Sequence, residues 1–296
     1  MGHEHGPSAG RYDWPFRIGI ALNIGFVVVE VVFGLLADSL ALLADAGHNL
    51  SDVLGLFLAA GAYYLMRRRP TERHTYGWRA SSILAALANA LLLLVAVGAI
   101  GWEAIGRIGE PGAVSSSTII WVAALGTVVN GLTAALFMRG RKEDLNIQGA
   151  FIHMAADAGV SLGVVVAGFA IQATGWTWLD PAVSLAIAIV ILATTWRLLR
   201  ESLHLAMGGV PSGIDVQAVR SYLRELPGVE AVHDLHVWAM STTESALTAH
   251  LVKPDPKGDD KLLAEASEVL HERFDIDHTT IQWERGEDAS CQASCE

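Results

Sequence analysis

The chain has 296 residues, of which 52% are hydrophobic and only 17% charged, with a mean hydropathy of +0.39 and a formal net charge of −11. That balance excludes an ordinary water-soluble domain and reads as a membrane protein. The acidity is concentrated in residues 209–296, with 17 acidic against 7 basic side chains. Such a segment repels nucleic acid and anionic lipid, so no nucleic-acid partner is expected, and it is compatible with attracting cations.

Crossing a hydrocarbon core of about 30 Å takes about 20 apolar residues. Six runs reach that length, at residues 16–36, 39–66, 80–105, 117–138, 147–174 and 179–199. The stretch before the first run is polar and carries His3 and His5 rather than a basic segment, so a cleaved signal peptide is not expected. Arg67, Arg68, Arg69, Arg73 and Arg79 follow the second run, Arg139, Arg141 and Lys142 follow the fourth, and Arg197 and Arg200 close the sixth. By the positive-inside rule these connections face the cytoplasm, with Arg107 the exception on the other side. Both termini are therefore expected in the cytoplasm, and a bacterial plasma membrane is the default location. Asp180-Pro181 reads as the cap and first position of the sixth helix, and Gly140 as the stop of the fourth. The expected division is a tail at 1–15, a six-helix transmembrane domain at 16–208, a soluble domain at 209–285 and a cysteine-containing tail at 286–296.

Within the second run His48 and Asp52 stand four residues apart, and within the fifth His153 and Asp157 repeat the spacing. An i,i+4 pair shares one helix face, so each helix offers an imidazole and a carboxylate to a common point. Inserting one ionised side chain at the bilayer centre costs about 2.5–3.5 kcal/mol, so idle ionisable groups there are rare. The alternative, buried polar residues bonded between helices, fits a lone histidine better than two matched pairs. Two imidazoles and two carboxylates suit a tetrahedral divalent metal, Zn2+ first, with Co2+, Cd2+, Fe2+, Mn2+ and Ni2+ open on affinity alone. Ligands must lose protons to hold metal, and that competition is a physical basis for exchanging metal against protons. Asp45 reads as a helix-start or water-facing carboxylate that could also attract cations or carry protons. Asn23, Glu30 and Asn89 are expected to face the bundle, and small residues such as Gly47 and Gly159 permit close helix approach.

Beyond the last span, Val216, Val219, Leu223 and Leu226 space one helical face that stops at Pro227-Gly228. Two β-prone runs, 231–240 and 245–252, flank a turn at 241–244. A helical pattern then covers 261–274 and a last strand 279–284. His233 and His250 fall opposite each other across the hairpin, within reach of one metal, while His236 reads as structural. Cys291 and Cys295, on the reducing side, read as thiolate ligands rather than a disulfide, and the terminal histidines as a further metal-capturing tail.

The stretch Ser39-Leu-Ala-Leu-Leu-Ala-Asp-Ala-Gly-His-Asn-Leu-Ser-Asp52, with Tyr76-Gly-Trp-Arg79, Leu84 to Leu91, His153-Met-Ala-Ala-Asp157, His233-Asp-Leu-His-Val-Trp238 and Thr279 to Glu284, closely resembles the cation diffusion facilitator family. That resemblance implies a six-helix divalent-metal/proton antiporter, homodimeric, with a cytoplasmic metallochaperone-like αββαβ domain. It implies that His48, Asp52, His153 and Asp157 are the transport site of a zinc-preferring member, and it places Glu284 beside His233 and His250 in a regulatory site. In the loop after the second helix only His74 fits the further metal site some members carry, and Ala80-Ser81-Ser82 stands where relatives often have a glutamate. The reading is a zinc exporter working against protons. Carriage of cadmium, cobalt, iron or manganese, or a membrane metal sensor without flux, are the alternatives. An enzyme is disfavoured, since there is no His-Glu-x-x-His and four ligands leave no open metal position. A channel is disfavoured because a dry four-ligand site holds its ion too long.

Overall fold

The computed structural model describes residues 13–109, 114–138 and 145–286. Six long helices come first: α1 (Asp13–Leu36), α2 (Leu40–Met66), α3 (Ser81–Gly109), α4 (Ser116–Phe137), α5 (Leu145–Thr174) and α6 (Leu179–Ala206). Each expected span is there, and the sixth runs seven residues past its expected end at 199. Gly140, the expected stop of α4, Arg139, Arg141 and Lys142, the terminal histidines, and Cys291 and Cys295 lie outside the described residues. Four helices, α3 to α6, carry stretches long and apolar enough to cross a membrane, and α1 contributes the shorter apolar stretch Ala21–Leu36. α2 is as long as they are, but Asp45, His48, Asn49, Ser51 and Asp52 interrupt its apolar sequence.

By its contacts the chain forms two compact units, one of residues up to Phe57 with Asn89–Arg197, the other of Leu58–Ala88 with the chain from Leu198 on. In the first unit Leu42, Ile119, Val164, Ile171, Ile187 and Ile191 form a buried core with Ala41, Ala44, Ala123 and Ala188. Small side chains bring backbones together, which is how packing rather than hydrophobicity holds helices in lipid. A Cβ at Gly168 of α5 would stand 2.8 Å from Ile120 Cγ1 of α4, so that crossing requires glycine. Trp102, Trp121, Val95 and Leu36 are well exposed, as side chains facing hydrocarbon or its interface must be.

Asp180 departs from expectation. α6 already begins at Leu179, and the Asp180 carboxylate turns instead to the start of α2. It accepts from the Leu40 backbone N–H at 2.8 Å, from Ala41 N–H at 3.4 Å and from the Ser39 hydroxyl. The first N–H groups of a helix lack internal partners and carry its positive end, so a buried anion satisfies them whichever helix supplies it. Arg107 ties the same turn, donating to the Asp38 carbonyl and carboxylate at 3.1 and 2.8 Å.

In the second unit α7 (Val216–Arg224) is capped by Asp215, whose Oδ1 accepts from Gln217 and Ala218 N–H at 2.9 and 3.2 Å. Strands β1 (Ala231–Ala239) and β2 (Ser245–Val252) pair antiparallel, α8 (Asp259–Phe274) follows, and β3 (His278–Glu284) pairs parallel to β2. The expected αββαβ order is the one found. Alternation turns Leu247, Ala249 and Leu251 of β2 into a core with Val219 and Leu223 of α7 and Ala266 and Leu270 of α8, which leaves Thr248 and His250 on the other face. The turn before α8 closes on the buried Lys253 ammonium, which donates to Asp259 Oδ1 at 2.8 Å, to the Lys257 carbonyl at 3.0 Å and to the Asp255 carbonyl. Between α2 and α3 the chain meets the domain directly, Arg79 pairing with Glu244 at 3.1 Å and Ser82 Oγ accepting from Thr242 N–H at 3.0 Å.

Candidate metal centres

Helix periodicity puts His48 over Asp52 on α2 and His153 over Asp157 on α5, and the packing of the two helices turns both pairs toward each other. His48 Nε2 stands 3.3 Å from Asp157 Oδ1 and 3.9 Å from Asp52 Oδ2. His153 Nε2 stands 3.2 Å from Asp52 Oδ2 and 3.6 Å from Asp157 Oδ2. The imidazole rings are 6.0 Å apart and nearly perpendicular. A tetrahedral shell with ligands about 2.0–2.2 Å from the metal spaces its ligand atoms about 3.3–3.6 Å apart. The four imidazole–carboxylate separations straddle that value, and ligand atoms of His48, Asp52 and Asp157 lie within 4.8 Å of one another, a group that His153 borders without joining. Asp157 is 2% exposed and His153 42%, so the cluster runs from a buried carboxylate to an open imidazole. Asp52 Oδ2 and Asp157 Oδ2 are buried without a hydrogen-bond donor, a deficit that a cation would relieve.

Asp45 corrects the expectation of a helix-start or water-facing carboxylate. It is fully buried in the second turn of α2, because α1 and α5 cover that face, and Ser161 Oγ donates to its Oδ2 at 2.9 Å. Glu30 of α1 is fully buried too and accepts from Asn49 Nδ2 at 2.9 Å. Asn23 donates to Met154 Sδ at 3.5 Å and Asn89 lies against Gly55, so both face the bundle as expected. Sequence reasoning passed over Asn130 of α4, which is fully buried with neither side-chain atom bonded. A polar residue in mid-span was the available signal. His74 stacks on Trp78 at 4.3 Å, apart from either cluster.

On the open face of the sheet, strand register places His233 opposite His250 and Glu284 beside Val252. His233 Nε2 is 2.8 Å from Glu284 Oε2, and His250 Nδ1 is 2.9 Å from Glu284 Oε1. The second contact is close yet too poorly aligned for a hydrogen bond, leaving His250 Nδ1 buried and unbonded. His233 Nε2 and Glu284 Oε2 are hydrogen-bonded to each other, and two imidazoles with one carboxylate are a donor set that zinc accepts. A bulge between His233 and His236 sets Asp234 at φ 49°, where its carboxylate reaches His250 Nε2 at 3.5 Å and His236 Nε2 at 2.8 Å. His236 itself points outward, and the part played by Asp234 had no sequence signal because it depends on the bulge.

An apolar helical domain with an imidazole–carboxylate cluster among its helices, joined to a small α+β domain with a second cluster, defines a polytopic membrane protein. Residues 16–205 match the family model described as the cation efflux transmembrane domain, and residues 211–286 match the cytoplasmic domain of cation efflux proteins. The zinc transporter ZitB of Shigella flexneri is 40% identical over 265 residues, 89% of this chain and 84% of its own. The metal cation efflux system protein CzcD of Cupriavidus metallidurans is 35% identical over 284 residues, covering 96% of this chain and 90% of its own. A cadmium, cobalt and zinc/H(+)-K(+) antiporter of Bacillus velezensis is 34% identical, covering 96% and 92%. The chain belongs to the cation efflux family, the cation diffusion facilitators, and is a multi-pass membrane transporter rather than an enzyme.

Proposed function

We propose that the protein exports Zn2+ from the cytoplasm in exchange for protons, with His48, Asp52, His153 and Asp157 as the transport site. The observation that carries this reading is the convergence of two imidazoles and two carboxylates from α2 and α5, in a helical domain where each ionisable group is costly. Zinc is the cargo to which an N2O2 set is best matched, and relatives named for zinc support it. Cadmium and cobalt come next, because a relative is named for all three. Cargo and protons compete for the same lone pairs, so a site that meets zinc on the cytoplasmic side and protons on the other exchanges them.

The same reading puts both termini in the cytoplasm, with 16–208 in a bacterial plasma membrane and 209–285 in the cytoplasm as a dimerising domain. His233, His250 and Glu284 hold a regulatory zinc there, with Cys291 and Cys295 as further ligands from the tail. The experiment is zinc flux into proteoliposomes under an imposed pH gradient, with internal pH recorded at the same time, for wild type and His153→Ala. Opposed zinc and proton movements that the substitution abolishes are expected. Zinc binding without flux in the wild type would overturn the carrier and leave a sensor.

A further inference from the structure

A second group of buried polar side chains lies among α1, α2 and α5, and the metal cluster does not use it. Glu30 and Asp45 are both fully buried, and each has one oxygen bonded, to Asn49 Nδ2 and to Ser161 Oγ respectively, both at 2.9 Å. The other oxygens, Glu30 Oε1 and Asp45 Oδ1, have no donor, although the two carboxyls are neighbours. The charged or titratable groups around them are His48 on α2 and Asp157 on α5, and among the described residues no lysine or arginine faces either one. Two adjacent carboxylates with no lysine or arginine beside them are unfavourable in a membrane interior, and each free oxygen here also lacks a hydrogen bond. A single proton held between those oxygens removes both deficits, since it cancels one charge and supplies the missing O–H donor.

We propose that Glu30 and Asp45 form a proton-holding carboxyl pair, separate from the four metal ligands, that carries one of the protons exchanged for zinc. The inference rests on the antiport reading. Asn49 follows His48 directly and Ser161 stands one helical turn beyond Asp157, so both partners of the pair ride on helices that carry ligands. When a divalent cation arrives among the ligands, its field opposes the shared proton. The O–H bond breaks and the proton passes to water on the cytoplasmic side. Once the metal has left on the far side, the pair takes a proton from there, so one proton enters for each cycle.

The test is a count of protons moved per zinc in proteoliposomes holding the full chain, with internal pH read by a trapped dye, for wild type, Glu30→Gln and Asp45→Asn. Either amide is expected to keep zinc binding, with a weaker dependence on pH than wild type shows, and to move one proton fewer per zinc. Glu30→Asp, which keeps a carboxyl, is expected to recover the wild-type ratio. An unchanged ratio in a variant that still transports would overturn the pair. So would loss of zinc binding in a variant that elutes and melts like wild type, since the carboxyls then serve the metal. If Glu30→Gln does not fold, Asp45→Asn decides alone. A wild type that moves no protons against zinc would instead sink the antiport reading, so the two failures are distinguishable.

Discussion

Asp157 presents one oxygen to each imidazole while only 2% exposed, and Oδ2 has no hydrogen-bond donor. The side chain therefore burdens the fold unless a cation is present, which is the usual bargain at a functional site. Asp157→Asn keeps the shape and removes the charge. Zinc affinity of the full chain, read by calorimetry in detergent, is expected to fall by at least about 100-fold, the upper range for disturbing even an outer-sphere partner. The metal-free melting temperature is expected not to fall, and a drop would mean that the carboxylate is structural. A second residue works the opposite way. Asp259 is held below the usual carboxylate range, first by the hydrogen bond from the Arg285 guanidinium and then by the Lys253 ammonium. A carboxyl whose folded value is depressed contributes stability above its unfolded value, about 3.9, and loses that contribution as pH falls toward the folded value. The melting gap between wild type and Asp259→Asn should be fully present at pH 7 and close as the pH drops below about 4. A gap that persists undiminished into strong acid would break the link.

At the scale of elements, α2 depends on a cap supplied by another helix. Asp180 satisfies the Leu40 and Ala41 N–H groups from the first turn of α6, and both the capping carboxylate and Ser39 are buried. Removing such a cap costs about 0.5–2 kcal/mol at exposed helix ends, and burial moves Asp180→Ala toward or past the upper figure. Thermal unfolding in detergent should register that loss, and zinc affinity should weaken with it because His48 and Asp52 ride on α2. Asp180→Asn, which can still accept from one N–H, should lose less. An alanine variant as stable as wild type would show that water replaces the cap. The sequence made most elements readable, because hydropathy locates the six membrane helices and periodicity locates α7, α8 and the strands to within two or three residues at nearly every end. It did not reveal whose N–H groups Asp180 would serve, since an Asp-Pro pair looks like a local cap and its partner stands about 140 positions earlier. The same limit hid Asp45, whose solvent access depends on α1 and α5 rather than on α2. The convergence of the two His/Asp pairs was legible because i,i+4 spacing on a helix fixes direction locally. His233 and His250 were legible because hairpin register is nearly as local, whereas Asp234 depends on a bulge that composition does not mark.

For the molecule as a whole, two sets of side chains could hold a metal ion, and the sets share no residue: His48, Asp52 and Asp157 with His153 beside them on α2 and α5, and His233 and His250 with Glu284 on the sheet. A ligand that binds only the folded protein stabilises it by mass action, by about 2.7 kcal/mol at 100 times its dissociation constant. Independent sites far enough apart to share no partner contribute additively. Melting of the full chain against zinc concentration should therefore show two increments. Asp157→Asn is expected to remove the one that depends on the helical cluster and to leave the other in place. His250→Ala is expected to do the reverse, while zinc uptake driven by an imposed pH gradient continues. The double variant should melt at the same temperature with zinc or with a chelator. If one substitution erased both increments, the two clusters would be a single coupled unit, and a regulatory role for the sheet would give way to a shared one. If His250→Ala left both increments standing, the histidines and Glu284 would be a hydrogen-bonded group on the sheet and no metal site at all.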